Sequence, residues 1–225
     1  DLLKVAVTPT LDCLPLFVAH QKKLFLQHGL VVSLNMFQAQ MDQDTALLGG
    51  SVDGAVTDLV RAERLQQHDS LPLHYLTSTN ASWQMLTHKM TRIKSVHQME
   101  DKMMAMTRYS ATDLLADMVI DEASVDSDKV FKIQINDVAI RLGMLKGGIM
   151  DAMFLPDPQA TEARLLESTV LMDTEERNIR LGVIAFRKDL SDDTHRKGQR
   201  AAFAEADNEA GDSINKKGLN SYRDL

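Results

Sequence analysis

One segment of the chain occurs twice, and this duplication constrains the fold more than any other feature of the sequence. The first copy is LGGSVDGAVTD at residues 48–58, and the second is KGGIMDAMFLPD at residues 146–157. Each has a Gly-Gly pair, an acidic residue three positions later and then a small apolar run. Because glycine readily adopts the positive φ that ends a helix, each copy predicts a helix end, a turn and a short buried strand. The two copies favour two similar α/β lobes. The alternative is that Gly-Gly-x-x-Asp is a common connection between a helix and a strand and indicates no duplication.

Composition sets the size of these lobes and excludes several classes of partner. With 225 residues and 44% hydrophobic content, the chain can bury the cores of two modest lobes. The net charge is −7, and no cluster of basic residues interleaved with aromatics occurs, so no nucleic-acid partner is expected. The sequence contains no apolar run of about 18 residues, so no membrane-spanning helix is predicted. We expect a monomer.

No metal site and no cofactor is predicted. The single cysteine, Cys13, excludes an internal disulfide and a Cys-x-x-Cys site. The seven histidines lack zinc-motif spacing, and His20, on an apolar helix face, is interpreted as structural. Thirteen methionines offer a thioether surface for a metal, but their positions in apolar segments favour core filling.

Strands and helices alternate along the chain in two series separated by the polar stretch 78–82. The first lobe is predicted at residues 1–82, the second at residues 83–186, and a return to the first lobe at residues 187–225. The predicted strands are 2–7, 31–37, 53–57, 73–77, 83–87, 102–107, 130–135, 170–172 and 181–187. The predicted helices are 14–27, 41–48, 61–67, 113–122, 138–146, 159–166 and a long one over 194–217.

Several segments, taken in order, resemble one protein family over essentially the whole chain. They are LKVAVTP at 3–9, LFVA at 16–19, LFLQHGL at 24–30, GSVDGA at 50–55, YSATDLL at 109–115 and AMFLPDP at 152–158. Together they are similar to the periplasmic solute-binding proteins of the type II fold, in the branch that contains nitrate, sulfonate, taurine and thiamine-precursor (NMT1-like) binders.

This resemblance implies a two-lobed α/β protein in which each lobe is a mixed sheet flanked by helices. Two crossover strands, at 83–87 and 181–186, would form the hinge. The lobes would close on a small-molecule solute and deliver it to the membrane permease of an ABC transporter. We therefore expect a location in the periplasm or at the cell surface, with a lipid anchor on a removed N-terminal segment as one arrangement, and a further helix beyond residue 225.

In the first lobe, five polar residues lie in loops that follow predicted strands. Ligands of α/β proteins bind at the carboxyl ends of strands, so these loops are the expected first-lobe half of a binding site. The candidates are Thr10, Asp12, Gln38, Thr57 and Asp58.

In the second lobe, Ser110, Ala111 and Thr112 open a predicted helix. Free backbone N–H groups and the helix dipole at such a position hold an anionic or strongly polar group. The alternative is that Ser110 only caps the helix.

Two further candidates are Asp157 and Trp83. Asp157, together with Asp12 and Asp58, favours a ligand with a cation or several N–H donors, although aspartates at turns often serve local roles. Trp83 would stack on a planar or cationic ligand, or pack between the lobes.

Two arginines, Arg108 and Arg141, are interpreted as solvated, with pairing to an acidic group of the ligand as the alternative.

The leading hypothesis is a transport binding protein without enzymatic activity. The alternative is an enzyme on the same fold, of the menaquinone-pathway or thiamine-pyrimidine-synthesis type. The latter carries a cysteine-rich motif that Cys13 alone does not supply, and no Ser-His-Asp order or glycine-rich phosphate loop is present. A ligand-sensing domain of a regulator is a third interpretation, for which no DNA-binding segment is found. Sulfonates, pyrimidines, amines and amino-acid-like molecules all remain open as ligands.

Overall fold

A computed structural model describes residues 2–188 and 194–225. Within these residues the chain forms two five-stranded sheets flanked by helices. The strands are β1 (Leu2–Val7), β2 (Val31–Met36), β3 (Gly54–Asp58), β4 (Leu73–Ser78), β5 (Trp83–Thr87), β6 (Lys102–Met106), β7 (Val130–Gln134), β8 (Ala152–Pro156), β9 (Thr169–Asp173) and β10 (Gly182–Arg187). The helices are α1 (Leu14–Gln21), α2 (Leu24–Gln27), α3 (Gln40–Leu48), α4 (Leu59–Gln67), α5 (Ala111–Glu122), α6 (Val138–Lys146), α7 (Gln159–Leu165) and α8 (Thr194–Lys217).

The two sheets have the same architecture. The first has the order β2-β1-β3-β10-β4 and the second the order β7-β6-β8-β5-β9. In each, three parallel strands are followed by one strand that runs antiparallel to both of its neighbours, β10 in the first sheet and β5 in the second. The predicted fold of two α/β lobes with mixed sheets is therefore confirmed.

The chain passes between the sheets twice, from β4 to β5 and from β9 to β10. Because β10 pairs with β3 and β4, the chain has returned to the first sheet by Gly182, earlier than the position 187 predicted from sequence. A run of apolar residues predicts a strand but does not identify its sheet. Residues 189–193 of the predicted return lie outside the described residues.

Both copies of the repeated segment play the same structural part. Gly50 and Gly148 have φ of +73° and +65°, the left-handed conformation expected where a helix ends. The carboxylates of Asp53 and Asp151 each accept a backbone N–H from the adjacent parallel strand, at 2.8 and 2.9 Å. The shared acid therefore ties the start of each central strand to its neighbour.

Each sheet is covered on both faces. In the first lobe α1, α2 and α8 pack on one face and α3 and α4 on the other, while in the second lobe α5 and the pair α6 and α7 cover opposite faces. Met85, Met104 and Met153 are fully buried in the second lobe, in agreement with core filling. Among residues 2–188 and 194–225, no helix combines the length and apolar character needed to cross a bilayer.

The helix predicted over 14–27 is divided in two. The break falls at Lys23, whose φ of +59° is left-handed, so α1 ends at Gln21 and α2 begins at Leu24. Beside the break, Lys22 Nζ donates to the hydroxyls of Ser213 and Tyr222, at 2.5 and 2.8 Å. These contacts tie α8 and the residues after it to the first lobe.

Replacing Gly54 with alanine tests the packing of the central strand β3. An added Cβ would lie 2.5 Å from Cδ1 of Phe186, which is itself buried in β10. Because a packed core tolerates such overlap poorly, we expect G54A to lower the free energy of unfolding by about 1–3 kcal/mol. Urea unfolding measures the change.

Gly143 provides the matched control, because a Cβ there meets no atom within 4 Å. It lies inside α6, where replacing glycine with alanine stabilises by about 0.5–1 kcal/mol. A G54A variant as stable as wild type, measured beside a stabilised G143A, would contradict the packing of β3 against β10.

Candidate functional site

The two lobes meet at the carboxyl ends of their central strands. Ala39 and Asp137, which directly precede the equivalent helices α3 and α6, form an isolated antiparallel bridge across the gap. Nearby, the Leu11 N–H of the first lobe donates to the Asp157 carbonyl of the second at 2.8 Å. These backbone contacts hold the lobes against each other, so the structure represents a closed form.

A small cavity of about 30 Å³ lies between the lobes. Five of the ten residues predicted from sequence line it, namely Thr10, Asp12, Gln38, Thr57 and Trp83. This volume accommodates about two water molecules, whereas ligand pockets typically measure about 300–1,000 Å³. An organic molecule therefore does not fit in this cavity as the lobes stand.

A larger groove of about 810 Å³ lies on the first lobe, between the start of α1 and α8. Of the ten predicted site residues, only Asp12 lines it. We therefore regard the cavity between the lobes, which residues of both lobes line, as the candidate site.

Asp58 bridges the lobes through a fully buried carboxylate. It is the last residue of β3, and its Oδ1 accepts the backbone N–H groups of Arg61 in α4 and Ala111 in α5, both at 3.0 Å. Oδ2 has no hydrogen-bond partner among the described residues. Burial raises the pKa of Asp58 to about 6, against the opposing effect of the two N–H donors.

The start of α5 is the predicted anion subsite, and in this closed form its donors are engaged. Ser110 Oγ accepts the Thr112 N–H at 3.1 Å, and the Ala111 N–H donates to Asp58. The helix N-terminus thus already holds a carboxylate, which belongs to the protein itself. Contact of Ser110, Ala111 and Thr112 with a ligand remains a prediction.

Asp157 and Trp83 differ in their placement. Asp157 Oδ1 accepts hydrogen bonds from the N–H and the hydroxyl of Thr161, at 2.9 and 2.7 Å. These contacts are a local role at the start of α7. Asp157 does not line the cavity. Trp83 lines the cavity and also packs in the core of the second lobe. Stacking of Trp83 on a ligand remains a prediction.

The Asp12 carboxyl and the Cys13 thiol lie near the cavity in the first lobe. Burial raises the pKa of Asp12, whose carboxylate accepts a hydrogen bond from Thr79 Oγ1 at 3.4 Å. Burial also raises the pKa of the Cys13 thiol, which is fully enclosed. A thiol in this environment is a poor nucleophile.

The expectation that Arg141 is solvated is wrong, because its side chain is buried. The residue is only 3% exposed and lines the cavity from α6. Its Nη1 donates to the Phe154 carbonyl at 2.9 Å, while Nε has no partner among the described residues. Burial lowers its pKa to about 10. Arg108, in contrast, is exposed.

The repeat pairs Arg141 with a residue of the first lobe that the structure also buries. Arg141 lies seven residues before Gly148, and Gln43 lies seven residues before Gly50. Aligning the two copies therefore pairs Arg141 with an uncharged residue on an inward helix face. Among the described residues, no group of three His, Cys, Asp or Glu side chains is arranged to hold a metal ion.

Comparisons with known proteins agree on the architecture. The sequence model of the NMT1-like family matches residues 1–167. The ligand-binding component of an ABC-type import system from Staphylococcus aureus has 18% identity and a TM-score of 0.79, covering 96% of this chain and 75% of its own. The periplasmic aliphatic sulphonate-binding protein from Escherichia coli has 18% identity and a TM-score of 0.73, with 96% and 71% covered.

A third solved structure, the periplasmic nitrate-binding protein from Synechocystis PCC 6803, has 16% identity and a TM-score of 0.80, covering 93% of this chain and 60% of its own. None of the curated proteins searched matches the chain. At these identities the structural matches show the fold.

The buried Asp58 carboxylate predicts a specific dependence of stability on pH. Its pKa is raised from an ordinary 3.8 to about 6, so the folded state holds this proton more tightly than the unfolded state. The free energy of unfolding therefore falls as the pH rises from about 4 to 6, by on the order of 1–3 kcal/mol from this group.

Urea unfolding of wild type and D58N at pH 4.5 and pH 7 tests this dependence. D58N cannot ionise, so it should gain stability relative to wild type on going from pH 4.5 to pH 7. Comparing two pH values cancels any fixed cost of the amide and the contributions of the other aspartates. An equal difference between the proteins at both pH values would contradict the assignment.

Proposed function

The chain belongs to the NMT1-like family, and from this premise we propose that it is a solute-binding protein that delivers a small polar organic molecule to the permease of an ABC importer. The observation that carries the proposal is the cavity between the lobes, which polar side chains from both lobes line. Relatives of the same fold include ligand-binding components of such importers. A location in the periplasm or at the cell surface accords with this role, and a lipid anchor is part of the same proposal.

We further propose that the lobes move about the two chain crossings. The first lobe would comprise the residues up to 82 together with β10 and α8, and the second the residues from 83 to β9. Opening breaks the Asp58–Ala111 hydrogen bond and exposes the start of α5 to solvent. In that open form Ser110, Ala111 and Thr112 become available to a ligand, as does Asp157 at the rim.

Within the cavity, we assign solute contacts to Thr10, Asp12, Gln38, Thr57 and Trp83. The hydroxyl of Thr57 has no hydrogen-bond partner among the described residues, although the residue is 5% exposed. A free polar group inside a small cavity is suited to bind a polar ligand.

A thermal-shift screen with native mass spectrometry tests the proposed function. The panel contains pyrimidines, alkylsulfonates, taurine, nitrate and polyamines. A ligand at 100 times its Kd stabilises by about 2.7 kcal/mol, which raises Tm by several degrees for a chain of this size. A one-to-one complex with the solute recovered unaltered is the expected result. Recovery of a chemically altered molecule would indicate an enzyme instead, and the absence of any binder would count against the proposal.

Once a solute is found, Thr57→Val provides a direct test of the site. Removing this hydroxyl while keeping the side-chain shape should weaken binding about two- to tenfold, the value of one hydrogen bond. Thr77→Val, on the neighbouring region of the same sheet but outside the cavity, is the matched control and should bind as wild type does. Equal Kd values for the two variants in titration calorimetry would exclude Thr57 from the site.

A further inference from the structure

Arg141 is a buried cation that has no counter-ion among the described residues. Among the described residues no carboxylate lies within 4 Å of its guanidinium, and the Asp137 carboxylate, whose field does reach it, caps α6 by accepting the Ile140 N–H. Buried charges in proteins are normally paired, because an isolated one carries a large desolvation cost. A bound anionic group would supply the partner that the described residues do not provide.

The internal repeat shows that the structural task at this position needs no charge. Gln43 occupies the equivalent place in α3, and its Nε2 donates to the carbonyl of Val56, the middle residue of β3. Arg141 makes the same contact with the carbonyl of Phe154, the middle residue of β8. Since a neutral amide performs this task in the first lobe, the positive charge in the second lobe has another purpose.

Asp12, an acidic residue without a cationic partner among the described residues, lines the same cavity from the other lobe and also borders the larger groove of the first lobe. Asp12 receives a hydrogen bond from Thr79 Oγ1, and no Lys, Arg or His of the described residues lies within 4 Å of it. Asp12 and Arg141 form no ion pair with each other in this closed form. The other polar groups at the cavity wall, including Thr8 and Gln38, are uncharged.

We infer, on the basis of the proposed function, that the solute is a short zwitterion whose anionic group pairs with Arg141 and whose ammonium group pairs with Asp12. A simple anion would leave Asp12 without a partner, and a simple cation would leave Arg141 without one. Only a ligand with both charges neutralises both walls. The apolar Val56, Ala81 and Pro156 in the lining of the cavity favour a short carbon spacer between the two charges. Short amino acids and aminosulfonates form this class.

Titration calorimetry with matched ligands tests the charge requirement. The zwitterions are glycine, β-alanine, γ-aminobutyrate and taurine, and the single-charge analogues are propionate, ethanesulfonate and propylamine. We expect at least one zwitterion to bind ten or more times tighter than every single-charge analogue. A monoanion that binds as tightly as the best zwitterion, or no zwitterion that binds, would overturn the inference.

Arg141→Gln copies the Gln43 arrangement and should keep the contact with the Phe154 carbonyl. We expect R141Q to weaken binding of the zwitterion at least thirtyfold while its Tm without ligand stays equal or rises. A purely structural arginine would give the opposite result, a lower Tm with an unchanged Kd. Arg108→Gln, which alters an exposed arginine of the same lobe, is the matched control and should match wild type in both measurements.

Asp12→Asn isolates the other end of the ligand. This variant should bind the zwitterion and its monoanionic analogue with equal affinity, because it has lost the partner of the ammonium group. If a solute from the broader screen binds and R141Q leaves its Kd unchanged, this inference fails while the proposed function stands. If no molecule of either panel binds wild type, both fail.

Discussion

The hydrogen bond between the Asp58 carboxylate and the Ala111 N–H joins the two lobes through a buried acid, beside the backbone contacts of Ala39 with Asp137 and of Leu11 with Asp157. Two opposing effects act on this contact. The N–H groups at the starts of α4 and α5 and the dipoles of these helices stabilise the negative charge. Complete burial and an unpartnered Oδ2 penalise it. The contact therefore joins the lobes while the buried carboxylate carries a desolvation cost.

The internal repeat supplies the scaffold, and the differences between its copies supply the chemistry. Both copies use a left-handed glycine, an aspartate that binds the adjacent strand and a helix residue that donates to the middle of the central strand. Where the first lobe has Gln43, the second has Arg141. Where β3 ends in Asp58, β8 ends in Pro156. These substitutions place charge at the interface between two otherwise similar units.

Much of the fold could be predicted from sequence because short-range patterns specify it. The strands Leu2–Val7 and Trp83–Thr87 and the helix Val138–Lys146 have the predicted bounds, since apolar periodicity and flanking turn residues are local signals. The break at Lys23 could not be predicted in this way, because a lysine in the left-handed conformation has no sequence signature. The sheet to which β10 belongs was also not predictable, because strand pairing joins residues far apart in the chain.

The candidate site was predicted in part for the same physical reason. Thr10, in the loop after β1, and Thr57, near the end of β3, were identified from their position at the carboxyl end of a strand. By itself, the sequence determined the duplicated α/β organisation, the family and the loops that surround the cleft. Only the tertiary structure decided that Arg141 is buried, that Asp58 occupies the start of α5, and that Asp12 and Arg141 face one cavity without pairing. Burial and charge pairing depend on groups that approach each other from distant parts of the chain, and local sequence carries no record of that approach.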